Sequence, residues 1–439
     1  MTSADTVARF RVAPGGRMAG ALTVPGDKSI SHRALMLGGI AEGDTEIRGF
    51  LAGADCLSTL HALAALGVRI ERRTGHEVVV HGGGPGALRG TSAVLDMGNA
   101  GTAMRLMMGL LAPQSFDSLL VGDESLMRRP MERVAAPLRL MGARIETREG
   151  RPPVHIRGAS ALRGIDYRLP VASAQVKSAL LLAALGASGR TRLTEPAPTR
   201  DHTERMLAAF GVELRRERLS VALEGGQRLR GTSLQVPGDF SSAAFFIVAG
   251  LIAAEGSFTL RNVGVNPTRT GLLEILNRMG ADIRVQAHAG AAAEPTADIE
   301  VRKSRLRGIH VPRELVPLSI DEFPILFVAA ALAEGETTVR GAEELRVKES
   351  DRLAVMAEGL TVLGVHNELL DDGLRIRGGS GFGGGLIDSH GDHRIAMSFA
   401  IAALAARAPI EIRNVANVAT SFPGFLDRAR AAGLAIEAL

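Results

Sequence analysis

The sequence predicts a two-domain α/β protein built from six copies of one strand–helix unit, three copies in each domain. Three observations lead to this fold class: a helix-end signal that occurs six times, six apolar helix patterns in phase with it, and an opening motif that returns at mid-chain. The chain has 439 residues, which is longer than a single hydrophobic core usually serves.

The helix-end signal consists of an apolar helix residue, a glycine, and the start of an alternating strand pattern. Glycine after the last helical residue is typical of a left-handed C-cap. The spacings between the six glycines are 75, 69, 69, 84 and 69 residues, so they indicate repeated units of similar length. These glycines are Gly67, Gly142, Gly211, Gly280, Gly364 and Gly433.

The second series consists of helix patterns that are apolar on nearly every face. Helices of this kind are buried on most sides, so we expect them to form the centres of the two domains. Their predicted ranges are 31–40, 102–111, 176–185, 243–252, 324–332 and 395–404.

The third observation is an internal copy of a motif. Val24-Pro25-Gly26-Asp27-Lys28-Ser29 returns 212 positions later as Val236-Pro237-Gly238-Asp239-Phe240-Ser241, and each copy precedes an apolar run. In both copies Pro-Gly favours a turn, and Asp can cap the helix that follows. The second copy marks the domain boundary, so we predict one domain over 23–236 and another over 1–22 plus 237–439, with two hinge crossings.

The first copy also has the features of an anion site. A helix N-terminus attracts anions, and Lys28 and Arg33 add two positive charges there. A solvated lysine on an ordinary capped helix remains the alternative from these ten residues alone. Polar side chains also begin four other apolar helices, which argues against a repeat scaffold without chemistry.

Composition excludes several other classes of protein. Hydrophobic residues make up 46% of the chain and charged residues 22%, a globular balance, and the apolar runs are shorter than the roughly 18 residues of a membrane span. With no Trp, one Tyr and a net charge of only +4, the chain lacks the footprint of a nucleic-acid-binding protein. A single cysteine, Cys56, and an N-terminus without an apolar secretory region predict a cytoplasmic protein.

Six motifs, in order along the whole chain, resemble those of the enolpyruvyl transferase family, and most closely its EPSP synthase branch. The Ser-Ala-Gln and Asp-Glu-Phe-Pro variants resemble the second bacterial subgroup of that branch. The motifs lie at 26–33, 98–105, 129–131, 173–179, 346–352 and 392–397.

The resemblance implies a two-domain inside-out α/β barrel with three βαβαββ units per domain. It also implies transfer of the enolpyruvyl group of phosphoenolpyruvate to the 5-hydroxyl of shikimate 3-phosphate, by addition and elimination. No metal or organic cofactor, nucleic acid or membrane is implied, and we expect a monomer. The alternative is an enolpyruvyl transferase with another acceptor, such as UDP-N-acetylglucosamine.

Site residues follow from the resemblance, motif by motif. The implied catalytic residues are Asp321 as base, Glu349 as acid, and Lys28. The implied ligands of shikimate 3-phosphate are Lys28, Ser29, Arg33, Ser173, Ala174, Gln175, Arg200, Asp321 and Lys348. The implied ligands of phosphoenolpyruvate are Lys28, Asn99, Gly101, Thr102, Arg129, Gln175, Arg352 and Arg394.

Two positions refine this prediction. Many family members have a Lys where Thr420 stands here, which leaves the group that assists phosphate departure open. Gly101 leaves room where a methyl group would crowd the phosphoenolpyruvate site, so we predict sensitivity to glyphosate.

Two further patterns are interpreted structurally. Gly379-Ser380-Gly381-Phe382-Gly383-Gly384 matches G-x-G-x-x-G, but no helix pattern follows it, so we predict a glycine-rich hairpin. His390, Asp392 and His393 are too close together at a helix start to converge on one ion, and we predict no metal site.

Overall fold

The computed structural model describes residues 9–158, 161–289 and 293–439. The described strands are β1 (Arg9–Val12), β2 (Met18–Leu22), β3 (Glu42–Arg48), β4 (Arg69–Arg72), β5 (Glu77–Gly83), β6 (Leu95–Asp96), β7 (Ser118–Val121), β8 (Arg144–Arg148), β9 (Arg151–Arg157), β10 (Leu162–Arg163), β11 (Asp166–Arg168), β12 (Ala187–Ser188), β13 (Arg190–Thr194), β14 (Arg215–Glu217), β15 (Ser220–Glu224), β16 (Ser233–Gln235), β17 (Ala254–Gly264), β18 (Asp282–Ala287), β19 (Thr296–Arg302), β20 (Glu336–Val339), β21 (His366–Leu370), β22 (Gly373–Arg377), β23 (Gly385–Asp388), β24 (Ile410–Arg413) and β25 (Ile436–Ala438).

The described α-helices are α1 (Lys28–Ile40), α2 (Ala54–Ala65), α3 (Gly101–Leu111), α4 (Glu124–Met127), α5 (Glu132–Leu140), α6 (Ala174–Leu185), α7 (His202–Ala209), α8 (Phe240–Ala253), α9 (Gly271–Arg278), α10 (Val316–Ser319), α11 (Phe323–Leu332), α12 (Arg352–Val362), α13 (His393–Ala402), α14 (Val418–Ser421) and α15 (Phe425–Ala431). Short 3₁₀ helices lie at Arg313–Leu315, Glu343–Val347 and Ala403–Ala405. Within the described ranges, no helix combines the length and the apolar character that crossing a membrane requires.

The chain divides into two compact units. Within the described residues, the unit that we call the N-unit contains 26–158, 161–236 and 293–294, and the C-unit contains 9–25, 237–289 and 295–439. Each unit has its own hydrophobic core.

The N-unit contains three four-stranded sheets of the same topology. Their orders are β16-β3-β5-β4, β6-β7-β9-β8 and β11-β13-β15-β14. In each sheet the first pair is parallel and the other two pairs are antiparallel. The predicted repeat is therefore present three times in this unit.

The C-unit repeats this topology with two variations. The order β2-β17-β19-β18 matches the N-unit pattern, whereas in β20-β22-β21 a single parallel bridge between His310 and Thr338 stands in for the fourth strand. The last sheet, β23-β24-β1-β25, is completed by the N-terminal strand β1, whose Phe10 and Val12 enter the core. The predicted six-fold α/β repeat is confirmed.

The six glycines of the helix-end signal all have positive φ, between 80° and 106°. This is the left-handed region in which a Cβ is disfavoured, so the predicted C-caps are confirmed. The six apolar helices are also confirmed as α1, α3, α6, α8, α11 and α13. The last of them begins at His393 and ends at Ala402, two residues earlier at each end than predicted, and continues as a 3₁₀ turn over Ala403–Ala405.

Within each unit these apolar helices pack against one another. The contact between α3 and α6 depends on Gly109, because a Cβ at that position would lie only 2.0 Å from the carbonyl oxygen of Ala179. This close approach lies in the last turn of α3, and the N-terminal turns of the two helices are joined separately by the hydrogen bond from Gln175 to Thr102.

The prediction of a glycine-rich hairpin at 379–384 is wrong. The segment links β22 to β23, and these strands belong to different sheets. Glycine and serine content indicates a turn-rich connection, but it does not specify which strands the connection joins.

Candidate active site

The first predicted ligand group lies at the N-terminus of α1. Asp27 caps the helix by accepting a hydrogen bond of 2.9 Å from the backbone N–H of Ile30. Lys28 is half-buried, and its Nζ lies 2.9 Å from Oδ2 of Asp55, in the first turn of α2. Ser29 is also half-buried beside it. A cation held by a buried carboxylate keeps a defined position, which suits it to bind an anion.

Arg33 lies deeper along the same helix and is 3% exposed. Its Nε donates to Thr203 (2.7 Å), its Nη2 to Ser178 (2.8 Å) and its Nη1 to the carbonyl of Ser29 (2.9 Å). Burial lowers the pKa of Arg33 to about 10, and the charge of Glu204 opposes that shift. The guanidinium thus links α1 to α6 and α7 and orients the backbone of Ser29.

The second ligand group surrounds the N-terminus of α3. The guanidinium of Arg129 donates from Nη2 to Oδ1 of Asn99 (2.6 Å) and to Ser125 (3.1 Å). The amide of Asn99 in turn donates to Asp123 at 2.7 Å. Gly101 begins the helix, and a Cβ there would lie 3.1 Å from Nη1 of Arg129 and 3.2 Å from Nη1 of Arg105. The first turn of α3, which has no side-chain cap, therefore lies beside two guanidinium groups, an arrangement that suits an anion.

The third group joins α3 to α6. Ser173 caps α6, and Ala174 is its first residue. Gln175 donates through Nε2 to Thr102 (2.9 Å) and accepts through Oε1 from Arg105 (2.7 Å), which also donates to the carbonyl of Pro130. Gln175 and Thr102 thus hold each other in place at the N-termini of the neighbouring helices α6 and α3.

The fourth group is a cluster of carboxylates in the C-unit, arranged around Arg352. This arginine is 1% exposed and donates to Asp321 (3.3 Å), Glu349 (2.5 Å) and Asp392 (2.8 Å). Although burial disfavours its charge, the three carboxylates more than offset this and raise the pKa of Arg352. One guanidinium therefore orients both predicted proton-transfer residues.

Two other cations complete this cluster. Lys348 is half-buried, and its Nζ lies 3.5 Å from Oδ1 of Asp321 and 3.2 Å from Glu344. Arg394, in the first turn of α13, donates to the backbone carbonyl of Asp321 at 3.0 Å. Its Nη1 also lies 4.0 Å from Oε1 of Glu322, whose side chain is fully buried. Asp321 is consequently held through both its side chain and its backbone.

Two further positions, Arg200 and Thr420, lie on other elements; besides burial, the charge of Arg200 helps to lower the pKa of Arg33. Arg200 is half-buried in the loop before α7. Thr420 is on α14, and its hydroxyl donates to the carbonyl of Asn417 at 2.7 Å. Among the described residues, no group of three or more His, Cys, Asp or Glu side chains is arranged to hold a metal ion.

Several partners of the predicted residues were not predicted. Asp55, Asp123, Glu322 and Asp392 each hold a predicted ligand residue in place. Asp392 lies in a recognised motif, but its partner Arg352 is 40 positions away, and Asp55 is 27 positions from Lys28. Local patterns carry no signal for pairs at such distances.

Comparison with known proteins places this geometry in context. The family model described as EPSP synthase (3-phosphoshikimate 1-carboxyvinyltransferase) matches residues 12–429. A 3-phosphoshikimate 1-carboxyvinyltransferase from Alkalilimnicola ehrlichii is 60% identical over 428 residues, which cover 97% of this chain and 96% of that protein. One from Halorhodospira halophila is 60% identical over 429 residues, covering 98% and 97%.

Solved structures agree with the sequence matches. An EPSP synthase from Acinetobacter baumannii has a TM-score of 0.88 and 53% identity, covering 98% of this chain and 99% of that one. The enolpyruvyl transferase NikO from Streptomyces tendae has a TM-score of 0.80 at 17% identity and covers 98% of both chains, a likeness that concerns the fold alone.

Proposed function

The chain belongs to the EPSP synthase family, and from that premise we propose how its residues carry out the family reaction. The enzyme transfers the enolpyruvyl group of phosphoenolpyruvate to the 5-hydroxyl of shikimate 3-phosphate and releases inorganic phosphate. The observation that carries this conclusion is the match to the family over nearly the whole chain at about 60% identity.

We assign the binding of shikimate 3-phosphate to the heads of α1 and α6 and to the loop before α7. Both substrates carry a phosphate and a carboxylate, and fixed cations with hydroxyl and N–H donors match such groups. The support is the half-buried cation Lys28, held by Asp55, and the capped N-terminus of α6. The proposed ligands are Lys28, Ser29, Arg33, Ser173, Ala174, Gln175 and Arg200 from the N-unit, and Asp321 and Lys348 from the C-unit.

We assign the binding of phosphoenolpyruvate to the head of α3 and to cations of the C-unit. The guanidinium of Arg129 beside Gly101 supports this assignment, because a planar fork next to open helix N–H groups suits a carboxylate or a phosphate. The proposed ligands are Lys28, Asn99, Gly101, Thr102, Arg129 and Gln175 from the N-unit, and Arg352 and Arg394 from the C-unit.

We propose that Asp321 and Glu349 divide the proton transfers, with Lys28 as a further participant. In the addition, Asp321 takes the proton of the acceptor hydroxyl, whose oxygen attacks C2 of phosphoenolpyruvate, while Glu349 gives a proton to C3. In the elimination, the carboxylate of Glu349 takes a proton back from C3 while the C–O bond to phosphate breaks, so the double bond returns and the phosphate leaves with the proton that Asp321 had taken. Nη1 of Arg352 donates to Asp321 and Nη2 donates to Glu349. Each carboxylate is thus oriented by a different nitrogen of the guanidinium, which supports separate roles.

The remaining assignments concern conditions of action. The reaction moves protons and exchanges one C–O bond without a change in oxidation state, so we propose that it needs no cofactor. We also propose that the protein acts as a monomer in the cytoplasm, and that millimolar glyphosate inhibits it by occupying the phosphoenolpyruvate site at Gly101.

The test is release of inorganic phosphate from phosphoenolpyruvate without added metal, with shikimate 3-phosphate and UDP-N-acetylglucosamine offered separately. Release only with shikimate 3-phosphate is the expected result. Release with the nucleotide sugar instead would overturn the assigned acceptor, and release with neither would overturn the assigned activity.

A further inference from the structure

The N-unit contains a buried cluster of charged side chains that the proposed reaction does not use. We call it the Lys177 cluster; its members are Lys177, Glu195, Thr199 and Glu204. Nζ of Lys177 lies 2.7 Å from Oε2 of Glu195 and 2.8 Å from Oε1 of Glu204. The three charged side chains are only 3%, 8% and 4% exposed. The hydroxyl of Thr199 donates to the other oxygen of Glu195 in a short hydrogen bond.

The cluster joins elements that carry proposed ligands of shikimate 3-phosphate. Lys177 is in the first turns of α6, two residues after Gln175. Glu195 directly follows β13, and Thr199 is four residues further along the loop, next to Arg200. Glu204 is in the first turn of α7. The chain of contacts from Thr199 through Glu195 to Lys177 therefore ties the loop of Arg200 to the N-terminal part of α6.

A parallel set of contacts strengthens the junction between α6 and α7. Thr203 donates to Ser178 at 2.7 Å, and both hydroxyls accept from Arg33. The consecutive residues 177–178 of α6 thus contact the consecutive residues 203–204 of α7. Polar side chains therefore hold α6 and α7 side by side. Apolar residues such as Leu or Val at the same positions could stabilise the junction equally well, but they would not fix its geometry as closely.

Energetic considerations also favour a positioning role. Removing charges from water costs several kcal/mol for each ion, and well-packed apolar residues are often as stable as a buried ion pair. Burial raises the pKa of Glu195 despite its contact with Lys177. For Lys177, burial works against the ammonium, but Glu204 and Glu195 outweigh it and raise the pKa. Because each hydrogen bond imposes a direction and a distance, a buried ion pair that carries this desolvation cost can fix the relative positions of the elements it joins.

We propose that the Lys177 cluster positions Arg200 relative to the head of α6, so that together they bind the phosphate of shikimate 3-phosphate. Thr199, Glu195 and Lys177 are positioning residues in this proposal, since they act through Arg200. The proposal rests on the function proposed above, in particular on Arg200 as a phosphate ligand.

The first test compares Thr199→Val with Thr199→Ser. Valine has a similar shape but lacks the hydroxyl, whereas serine keeps it. We expect Thr199→Val to raise the KM for shikimate 3-phosphate roughly tenfold, as for loss of one charge-assisted hydrogen bond, and to leave the KM for phosphoenolpyruvate and kcat within about twofold. Thr199→Ser should restore the wild-type KM within about threefold.

The second test is a double-mutant cycle with Arg200→Ala. If Thr199 acts through Arg200, Thr199→Val should have almost no further effect on the KM for shikimate 3-phosphate once Arg200 is absent. The proposal would be overturned if the two substitutions raised the KM for shikimate 3-phosphate by factors that multiply in the double variant. It would also be overturned if Thr199→Val raised both KM values equally, or lowered the melting temperature without changing the kinetics.

If Thr199→Val does not fold, Glu195→Gln replaces it in the same cycle, because Gln keeps the volume but has only one acceptor oxygen and cannot accept from both Thr199 and Lys177. The two levels of inference remain distinguishable. A wild-type protein that releases no phosphate with shikimate 3-phosphate would overturn the proposed function, whereas an active wild type with multiplying effects would overturn only the role of the cluster.

Discussion

The N-terminal turns of α1 and α8 begin with the same motif but present different chemistry. Their caps are nearly identical: Asp27 has φ −61° and ψ 123°, Asp239 has φ −65° and ψ 121°, and each side chain accepts from the N–H three residues later. After the cap, α1 continues with the half-buried Lys28, whereas α8 continues with Phe240, which is 1% exposed.

The following serines also differ in environment. Ser29 is half-buried beside Lys28. Ser241 is buried, where it donates to Glu322 in a short hydrogen bond and accepts from Arg269 at 2.7 Å. The second motif is thus absorbed into a buried polar network of the C-unit. Both copies therefore share the backbone turn, and the side chain after the cap decides whether that turn can bind a ligand.

The largest expected effect separates the residues after the two caps. Lys28→Met removes the cation of the α1 head and should lower kcat/KM by roughly 10²- to 10³-fold, since a preorganised charge is lost at the site. Phe240→Leu, the matched change at α8, should leave kcat/KM unchanged and cost about 1 kcal/mol of stability through altered packing. Steady-state kinetics and thermal unfolding of both variants test this contrast. Equal kinetic losses would show that the two heads are not functionally distinct.

The next effect tests whether the C-unit contributes carboxylates to the chemistry, since the N-terminus of its helix α8 is filled by buried side chains. Asp321→Asn and Glu349→Gln should each lower kcat by roughly 10²-fold or more with substrate binding largely kept. Glu343→Gln, an exposed neighbour in the 3₁₀ helix, is the control and should stay within about twofold of wild type. Near-normal turnover in either carboxylate variant would remove that residue from the mechanism.

A smaller effect compares the two serines directly. Ser29→Ala should raise the KM for shikimate 3-phosphate roughly tenfold and leave stability unchanged, because a ligand contact is lost at a half-buried position. Ser241→Ala should do the reverse: it removes a partner from buried Glu322 and Arg269, which costs about 1–3 kcal/mol, while kcat/KM stays within about threefold. The KM for shikimate 3-phosphate and the denaturant midpoint are measured for each variant. If both variants changed the same one of these two quantities, the proposed difference between the two serines would be contradicted.

The last effect, on stability alone, concerns His32, whose counterpart in α8 is Ala244. His32 is fully buried, and its Nδ1 lies 2.7 Å from Oγ1 of Thr59. Burial, with Lys28 and Arg33 nearby, lowers the pKa of His32 from 6.5 to about 3. Because the unfolded chain then binds a proton that the folded chain does not, this group reduces stability as pH falls from 6.5 toward 3.

The measurement is urea unfolding at pH 7 and pH 5 for wild type and His32→Asn. Wild type should lose up to about 1.4 kcal/mol more for each pH unit below 6.5 than the variant does. The same loss in both proteins would mean that His32 does not contribute to acid sensitivity.

Much of the fold followed from local signals. The C-cap glycines, the six apolar helices and the repeated Asp caps were predicted because each depends on a few neighbouring residues. The predicted anion character of the α1 head also rested on adjacent residues. The link at 379–384 was mispredicted because its outcome depends on which sheets the flanking strands join.

The sequence by itself determined the repeated α/β architecture, the family and the residue types available for binding two anionic substrates. Only the tertiary structure decided how those residues are held: Lys28 by Asp55, Arg33 by Thr203 and Ser178, and the two carboxylates proposed for proton transfer by Arg352. Caps and helix periodicity are set within a turn or two of the chain. Buried charges are instead satisfied by whichever partners the packing of distant helices brings within about 3 Å, and no local pattern encodes that choice.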